Sequence, residues 1–210
     1  NFQLDRVADI ASPKGDHMNY VQKLKDKMII QGEDEKYIEL CTSYAQKLCD
    51  NNVPVIFDFK HLALLLGYEP SELAFYLFAS DDSFYTQIQI PKKSGGMRNI
   101  EIPSDRLKNI QRWILKNVLN NIVVHDSCYG FMKGKSIYDN ALLHVGKDCV
   151  LNMDLKDFFP SISQKDVFNI FYQRGYTKKV SYYLAKLLTK DGVLPQGSPA
   201  SPQISNIVAK

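Results

Sequence analysis

The sequence lacks the marks of several protein classes. Its four cysteines, Cys41, Cys49, Cys128 and Cys149, form no C-x-x-C pair and have no histidine at ligand spacing. That pattern argues against a zinc site and against a disulfide framework. Reduced thiols in a cytoplasmic protein are the expectation instead. No uninterrupted apolar run approaches the roughly 18 residues of a membrane helix, so no membrane partner is expected. The opening NFQLDRVADIASPKG has no basic segment followed by an apolar one, unlike a secretory signal. Internal repeats and low-complexity tracts are also missing. There is no initiator Met, and the closing SNIVAK stops inside a helix-like pattern, so both ends are expected to be cuts in a longer protein.

What is present is ordinary in bulk and uneven in detail. The 210 residues are 45% hydrophobic and 23% charged, as in a globular protein. The net charge of +3 conceals an asymmetry: residues 1–85 hold 8 basic and 14 acidic side chains, residues 86–210 hold 18 and 9. A basic second part suits a polyanion partner, although a solvated mixed surface has the same composition.

The first third reads as helical. Tyr20, Leu24, Lys27 and Met28 make one short helical pattern, and Tyr37, Ile38, Cys41, Tyr44, Ala45 and Leu48 make a second, amphipathic one, ended by Asn51-Asn52. Asp58 is placed to cap a helix over 59–66 that Gly67 closes, and Pro70 or Ser71 opens the next, through Phe78. From Phe84 the period changes. FYTQIQI and MRNIEIP alternate around PKKSGG, predicting a β-hairpin with Lys92, Lys93 and Arg98 near its tip. Ser104 then heads a predicted helix over 105–123 with Arg106, Lys108, Arg112 and Lys116 off its apolar face. Glycines and the lysines Lys133 and Lys135 precede a short helix, and two more helices, over 163–174 and 178–189, flank Gly175. Prolines make GVLPQGSPASP a rigid turn before a last helix that Pro202 begins.

One stretch, NMDLKDFFPSI at 152–162, is hard to reconcile with simple packing. Val150, Leu151, Met153 and Leu155 predict a core-packed strand, yet Asp154 sits among them. A buried, unpaired carboxylate costs several kcal/mol. Either Asp154 points outward at an exposed edge, or a cation sits beside it.

The ordered set of the basic hairpin, R-x-I-x-x-P, GF-x-x-G-x-S, D-x-x-x-FFPS and LPQG-x-P-x-SP resembles the fingers and early palm of reverse transcriptases. Bacterial retron enzymes are most similar, and NALLH at 140–144 looks like their NAxxH element. Group II intron maturases share most of the pattern. The resemblance covers residues 54–210. It implies an α/β fold of right-hand polymerase type, with a helical N-terminal layer at 1–53, fingers at 54–148 and the start of a palm at 149–210.

The resemblance also implies roles. Asp154 would bind two Mg²⁺ ions, with the carbonyl of Leu155 reaching one of them. Phe159 would lie under the incoming sugar and exclude a 2′ hydroxyl, while Phe158 faces the core. Arg98 and Lys92 would grip the triphosphate, and Gln196 would line the nucleotide pocket. Lys93, Arg106, Lys108, Arg112, Lys116, Lys133 and Lys135 would meet nucleic-acid phosphates. Asp157 reads as a structural hydrogen-bonding group and His144 as a structural histidine. The implied partners are an RNA template and primer, nascent DNA, dNTPs, a structured retron RNA and an effector protein acting in phage defence. A non-retron bacterial enzyme and a catalytically incomplete RNA-binding scaffold are the alternatives. The family's Y-x-D-D pair does not occur, and the only Asp-Asp is Asp81-Asp82. The remaining catalytic aspartates and the thumb are therefore expected in a longer chain, and this piece alone is expected to be inactive.

Overall fold

Capping chemistry sets the boundaries of the first helices. A computed structural model describes residues 17–92 and 95–209. Helix α1 (His17–Ile30) buries Tyr20, Leu24 and Met28. Helix α2 (Glu35–Asp50) begins where the Asp34 carboxylate accepts from the Lys36 and Tyr37 amides, and buries Ile38, Cys41, Ala45 and Leu48. In α3 (Phe59–Leu66) the Asp58 side chain accepts from the His61 amide. Gly67 ends the helix with φ +73°, a left-handed conformation that glycine adopts without a Cβ penalty. Helix α4 (Pro70–Phe78) opens on proline and a Glu69/Glu72 capping box.

Strands β1 (Tyr85–Pro91) and β2 (Met97–Pro103) pair antiparallel from Tyr85–Pro103 to Pro91–Met97. Helix α5 (Asp105–Asn117) follows, then a 3-10 turn at Leu119–Asn121. The predicted helix to residue 123 stops early because Asn117 and Asn121 turn their amides back onto the Trp113 and Asn117 carbonyls. Such side chains compete with the helical ladder. The remaining helices are α6 (Ile137–Leu142), α7 (Phe158–Ser161), α8 (Gln164–Gln173), α9 (Lys178–Leu188) and α10 (Ser201–Val208).

The chain gathers into two units, Asn1–Phe84 with Phe168–Leu187, and Tyr85–Val167 with Leu188–Lys210. In the first, α1 packs on α2, and Tyr176 is fully buried with its hydroxyl donating to the Pro54 carbonyl at 2.8 Å. Asp81 is also buried here, and its carboxylate holds the Lys186 ammonium at 2.9 Å. Of the Asp-Asp doublet, Asp81 is thus part of this unit's packing, while Asp82 is exposed. In the second unit, the completely buried Gln111 of α5 donates to the Tyr85 hydroxyl at 2.9 Å, which locks α5 to the hairpin. The chain is a mixed α/β domain with one small antiparallel sheet among the described residues.

His61 makes the first unit sensitive to acid. It is 3% exposed, its ring stacks on Phe57, and its Nδ1 accepts from the Phe57 amide at 3.4 Å. Burial lowers its pKa from 6.5 to about 4, against a smaller opposing effect of Asp58. Between those values the unfolded chain binds a proton that the folded chain refuses, so stability falls as pH drops from about 6.5 to about 4. The full loss is about 3 kcal/mol. Urea midpoints at stepped pH should decline across this window, and His61→Asn should flatten the decline. An unchanged slope in the variant would mean that other groups govern acid sensitivity. Asp139 and Asp166, held below the ordinary carboxylate range by Ser136 and Ser163, release their contribution only at lower pH.

The run at 150–155 is not the core-packed strand that its sequence predicts. It carries no regular structure, and Leu151, Met153 and Leu155 are 79%, 81% and 67% exposed. A strand needs a ladder partner for its backbone groups. Among the described residues β1 and β2 pair only with each other, leaving none for 150–155.

Candidate functional site

The second unit contains an open concavity of about 1110 Å³. Three pieces of chain form it, with Phe131 beside them. The first is the hairpin, whose β2 contributes Arg98 and Glu101 while Lys92 stands at the end of β1. The second runs from Met153 through Asp157 into α7. The third is the segment from Lys190 to Pro202.

Backbone chemistry joins the pieces. Asp191 and Gly192 have φ of +50° and +79°, and Lys190 and Val193 exchange amide–carbonyl bonds of 2.9 and 3.0 Å. This is a two-residue turn of the type that Asp-Gly favours. Its far side is fixed where the Leu194 amide donates to the Ile162 carbonyl at 2.9 Å and the Gln164 amide to Gly192 at 2.8 Å. The Glu101 amide donates to the Gln196 carbonyl at 2.6 Å. Gly197 packs so tightly under β2 that an added Cβ would collide with the Glu101 carbonyl oxygen and lie 2.9 Å from Ile100 Cγ2.

Asp154, Leu155, Phe159, Gln196, Arg98 and Lys92 all line this concavity. Asp154 is exposed, so its carboxylate is hydrated rather than buried, and the outward-pointing alternative describes its placement. Phe158 and Phe159 are both half-buried and meet edge to face at 6.3 Å. Phe158 therefore does not turn into the core as its sequence suggests; it shares the wall with Phe159. Asp157 has φ +51° and makes no side-chain cap to α7, contrary to the hydrogen-bonding reading, and also lines the wall. His144 is exposed rather than built into packing.

The basic residues separate. Lys108, Arg112 and Lys116 recur every fourth position and form one stripe of α5. Lys108 is tied to Asp105 at 3.1 Å and Arg112 to Asn109 at 3.4 Å. Arg106, two residues from Lys108, lies about 160° around the helix from it, at ~100° per residue, and is not part of that stripe. Lys133 is exposed. Lys135 is engaged within its own loop: its ammonium donates to the Asp126 and Cys128 carbonyls and lies 4.3 Å above the Tyr129 ring. A loop tied this way needs that charge for itself. Lys93 lies outside the described residues.

Residues 90–210 match the family model described as reverse transcriptase (RNA-dependent DNA polymerase). The chain belongs to the reverse transcriptase family. It is 33% identical to the Retron Ec86 reverse transcriptase of Escherichia coli over 165 residues, covering 77% of this chain and 51% of that protein. It is 36% identical to the Retron Mx162 reverse transcriptase of Myxococcus xanthus over 166 residues, covering 69% and 34%. The Retron Ec73 reverse transcriptase of Escherichia coli is 40% identical over 132 residues, covering 58% and 42%. Within the reverse transcriptases this is a retron-type member, and it spans about a third to a half of the length of these relatives.

Mg²⁺ is the ion that the family resemblance implies. The donors that Asp154 and the Leu155 carbonyl offer are hard oxygens, the chemistry Mg²⁺ requires, and that ion takes few protein ligands. Among the described residues no group of three or more His, Cys, Asp or Glu side chains gathers to hold a metal. The residues present thus fit as part of a ligand set, not as a whole one.

Two residues of this reverse transcriptase concavity escape a motif reading. Glu101 and Lys190 line it from β2 and from the turn, with side chains 20% and 13% exposed. The available signal was Asp191-Gly192, the strongest short-range turn dipeptide, directly after a lysine that it forces toward the site.

Proposed function

We propose that the complete protein is an RNA-directed DNA polymerase of retron type. It copies a structured non-coding RNA into DNA that stays joined to it, using dNTPs and an RNA primer and template in the cytoplasm. An effector protein then links that product to phage defence. The observation that supports the polymerase reading best is convergence. Six residues from three separate stretches of sequence, Lys92 and Arg98, Asp154, Leu155 and Phe159, and Gln196, line one concavity.

Each residue has a task on this reading. Arg98 and Lys92 neutralise the triphosphate, Arg98 through a forked donor pair that suits phosphate oxygens. Gln196 and Phe159 wall the nucleotide pocket, Phe159 against the sugar. Asp154 and the Leu155 carbonyl hold Mg²⁺, which when bound stabilises charge on the transferring phosphate. The α5 stripe of Lys108, Arg112 and Lys116, with Arg106, Lys93 and Lys133, contacts the nucleic-acid backbone. Such contacts make affinity fall steeply with salt.

Primer extension by the full-length protein on an RNA template tests the reading, with dNTP and rNTP compared. Phe159→Val should lower the dNTP-over-rNTP ratio of kcat/KM more than it lowers dNTP addition itself. No extension by the wild type would overturn the polymerase reading. An unchanged ratio with a lowered Tm would make Phe159 packing alone.

Arg98→Ala should raise the KM for dNTP by roughly tenfold, the scale of one charge-assisted contact. Arg98→Lys should restore only part, because an ammonium lacks the planar fork. Wild-type behaviour of both variants at limiting dNTP would leave Arg98 a solvated hairpin residue.

A further inference from the structure

Glu101 has an unusual position. Its amide holds the Gln196 carbonyl at 2.6 Å, and its carboxylate Oε2 is buried without a hydrogen bond. The Lys190 ammonium lies 3.5 Å from that oxygen. Lys190 also meets Asp191 at 2.8 Å, but Asp191 is 67% exposed and open to solvent screening. The pair that solvent does not screen is Glu101–Lys190, with side chains 20% and 13% exposed.

On the polymerase reading above, we infer that Glu101 and Lys190 form a positioning clamp that sets the width of the nucleotide pocket. Lys190 begins the Asp191-Gly192 turn, and that turn is hydrogen-bonded to Ile162 and Gln164, directly after the helix of Phe159. Glu101 lies three residues along β2 from Arg98. The ion pair therefore ties the strand that carries Arg98 to the turn that fixes Phe159 and leads into Gln196. Neither residue needs to touch the nucleotide. The Lys190 ammonium is occupied by carboxylates, and Glu101 Oε2 is closed off from solvent. A strand freed by even about 1 Å would misplace the triphosphate grip relative to the sugar wall.

Lys190→Met removes the cation with similar bulk and leaves Glu101 as a buried charge without its partner, the costly case. Glu101→Gln removes the anion and keeps the shape. The double variant removes both charges and leaves no orphan, so it keeps the test open if Lys190→Met fails to fold. Full-length enzymes are compared in single-nucleotide primer extension across dNTP concentration. The clamp requires that each folded variant raise the KM for dNTP by roughly tenfold, with kcat changed less than about twofold. It also requires that the double variant be no worse than the single ones, since both remove one interaction. The Glu101→Lys, Lys190→Glu exchange should recover part of the loss. Unchanged KM in a folded Glu101→Gln or double variant would overturn the clamp, as would effects that simply add. Failure of the wild type to extend a primer would instead overturn the polymerase reading, so the two failures are distinguishable.

Discussion

In the full-length enzyme, Asp154→Asn should reduce primer extension by more than about a hundredfold while leaving the fold intact. The two halves of that expectation have separate grounds. Asp154 is exposed, and Asn keeps its shape. What is lost is a negative oxygen donor facing the concavity, between Met153 and Leu155. Charge stabilisation by a bound divalent ion is worth several kcal/mol in the transition state, and each 1.36 kcal/mol is about tenfold in rate. The assay is single-nucleotide addition at saturating dNTP, with Tm followed in parallel. Extension near the wild-type rate would remove Asp154 from the chemistry. A matching drop in Tm would make it a structural residue.

Gly197→Ala should be the most damaging small substitution in the second unit. Gly197 has φ +131°, a region that side chains with a Cβ rarely adopt. Its missing Cβ is the space that lets Gln196 and Glu101 bond at 2.6 Å. A methyl group there meets backbone, which cannot swing aside as a side-chain tip can. Strain and overpacking together should cost about 2–4 kcal/mol, a fall of roughly 5–10 °C in Tm for a domain of this size. Nucleotide addition should fall with it, because β2 and the Gln196 turn must part. Gly130→Ala is the control, since nothing lies within 4 Å of the Cβ it would add. Equal Tm for the two variants would mean that the close approach under β2 yields without cost.

Much of the local structure was legible because its causes are local. Asp58 and Gly67 bracket α3, Pro70 opens α4, and the alternation around PKKSGG forms β1 and β2, all where the sequence places them. Each follows from a cap, a fixed φ or a side-chain period that operates within a few residues. The expectations that failed depended on distant partners. Val150 to Leu155 has the composition of a core strand, but a strand forms only where another offers a ladder. Phe158 reads as a core residue from its neighbours, yet the half-open wall leaves it beside Phe159. The two carbonyls and the ring around the Lys135 ammonium likewise appear only in the fold.

The sequence by itself determined most of the helices, the hairpin and the family motifs, Asp154, Phe159, Arg98 and Gln196 among them. These are properties of residue type and short spacing, which a linear chain displays in full. Only the tertiary structure decided that those residues share one concavity and that Glu101 faces Lys190 across it. Residues 101 and 190 are joined by nothing in the linear pattern. They meet because an Asp-Gly turn reverses the chain after α9, and because a glycine without a side chain lets that turn's continuation press against β2.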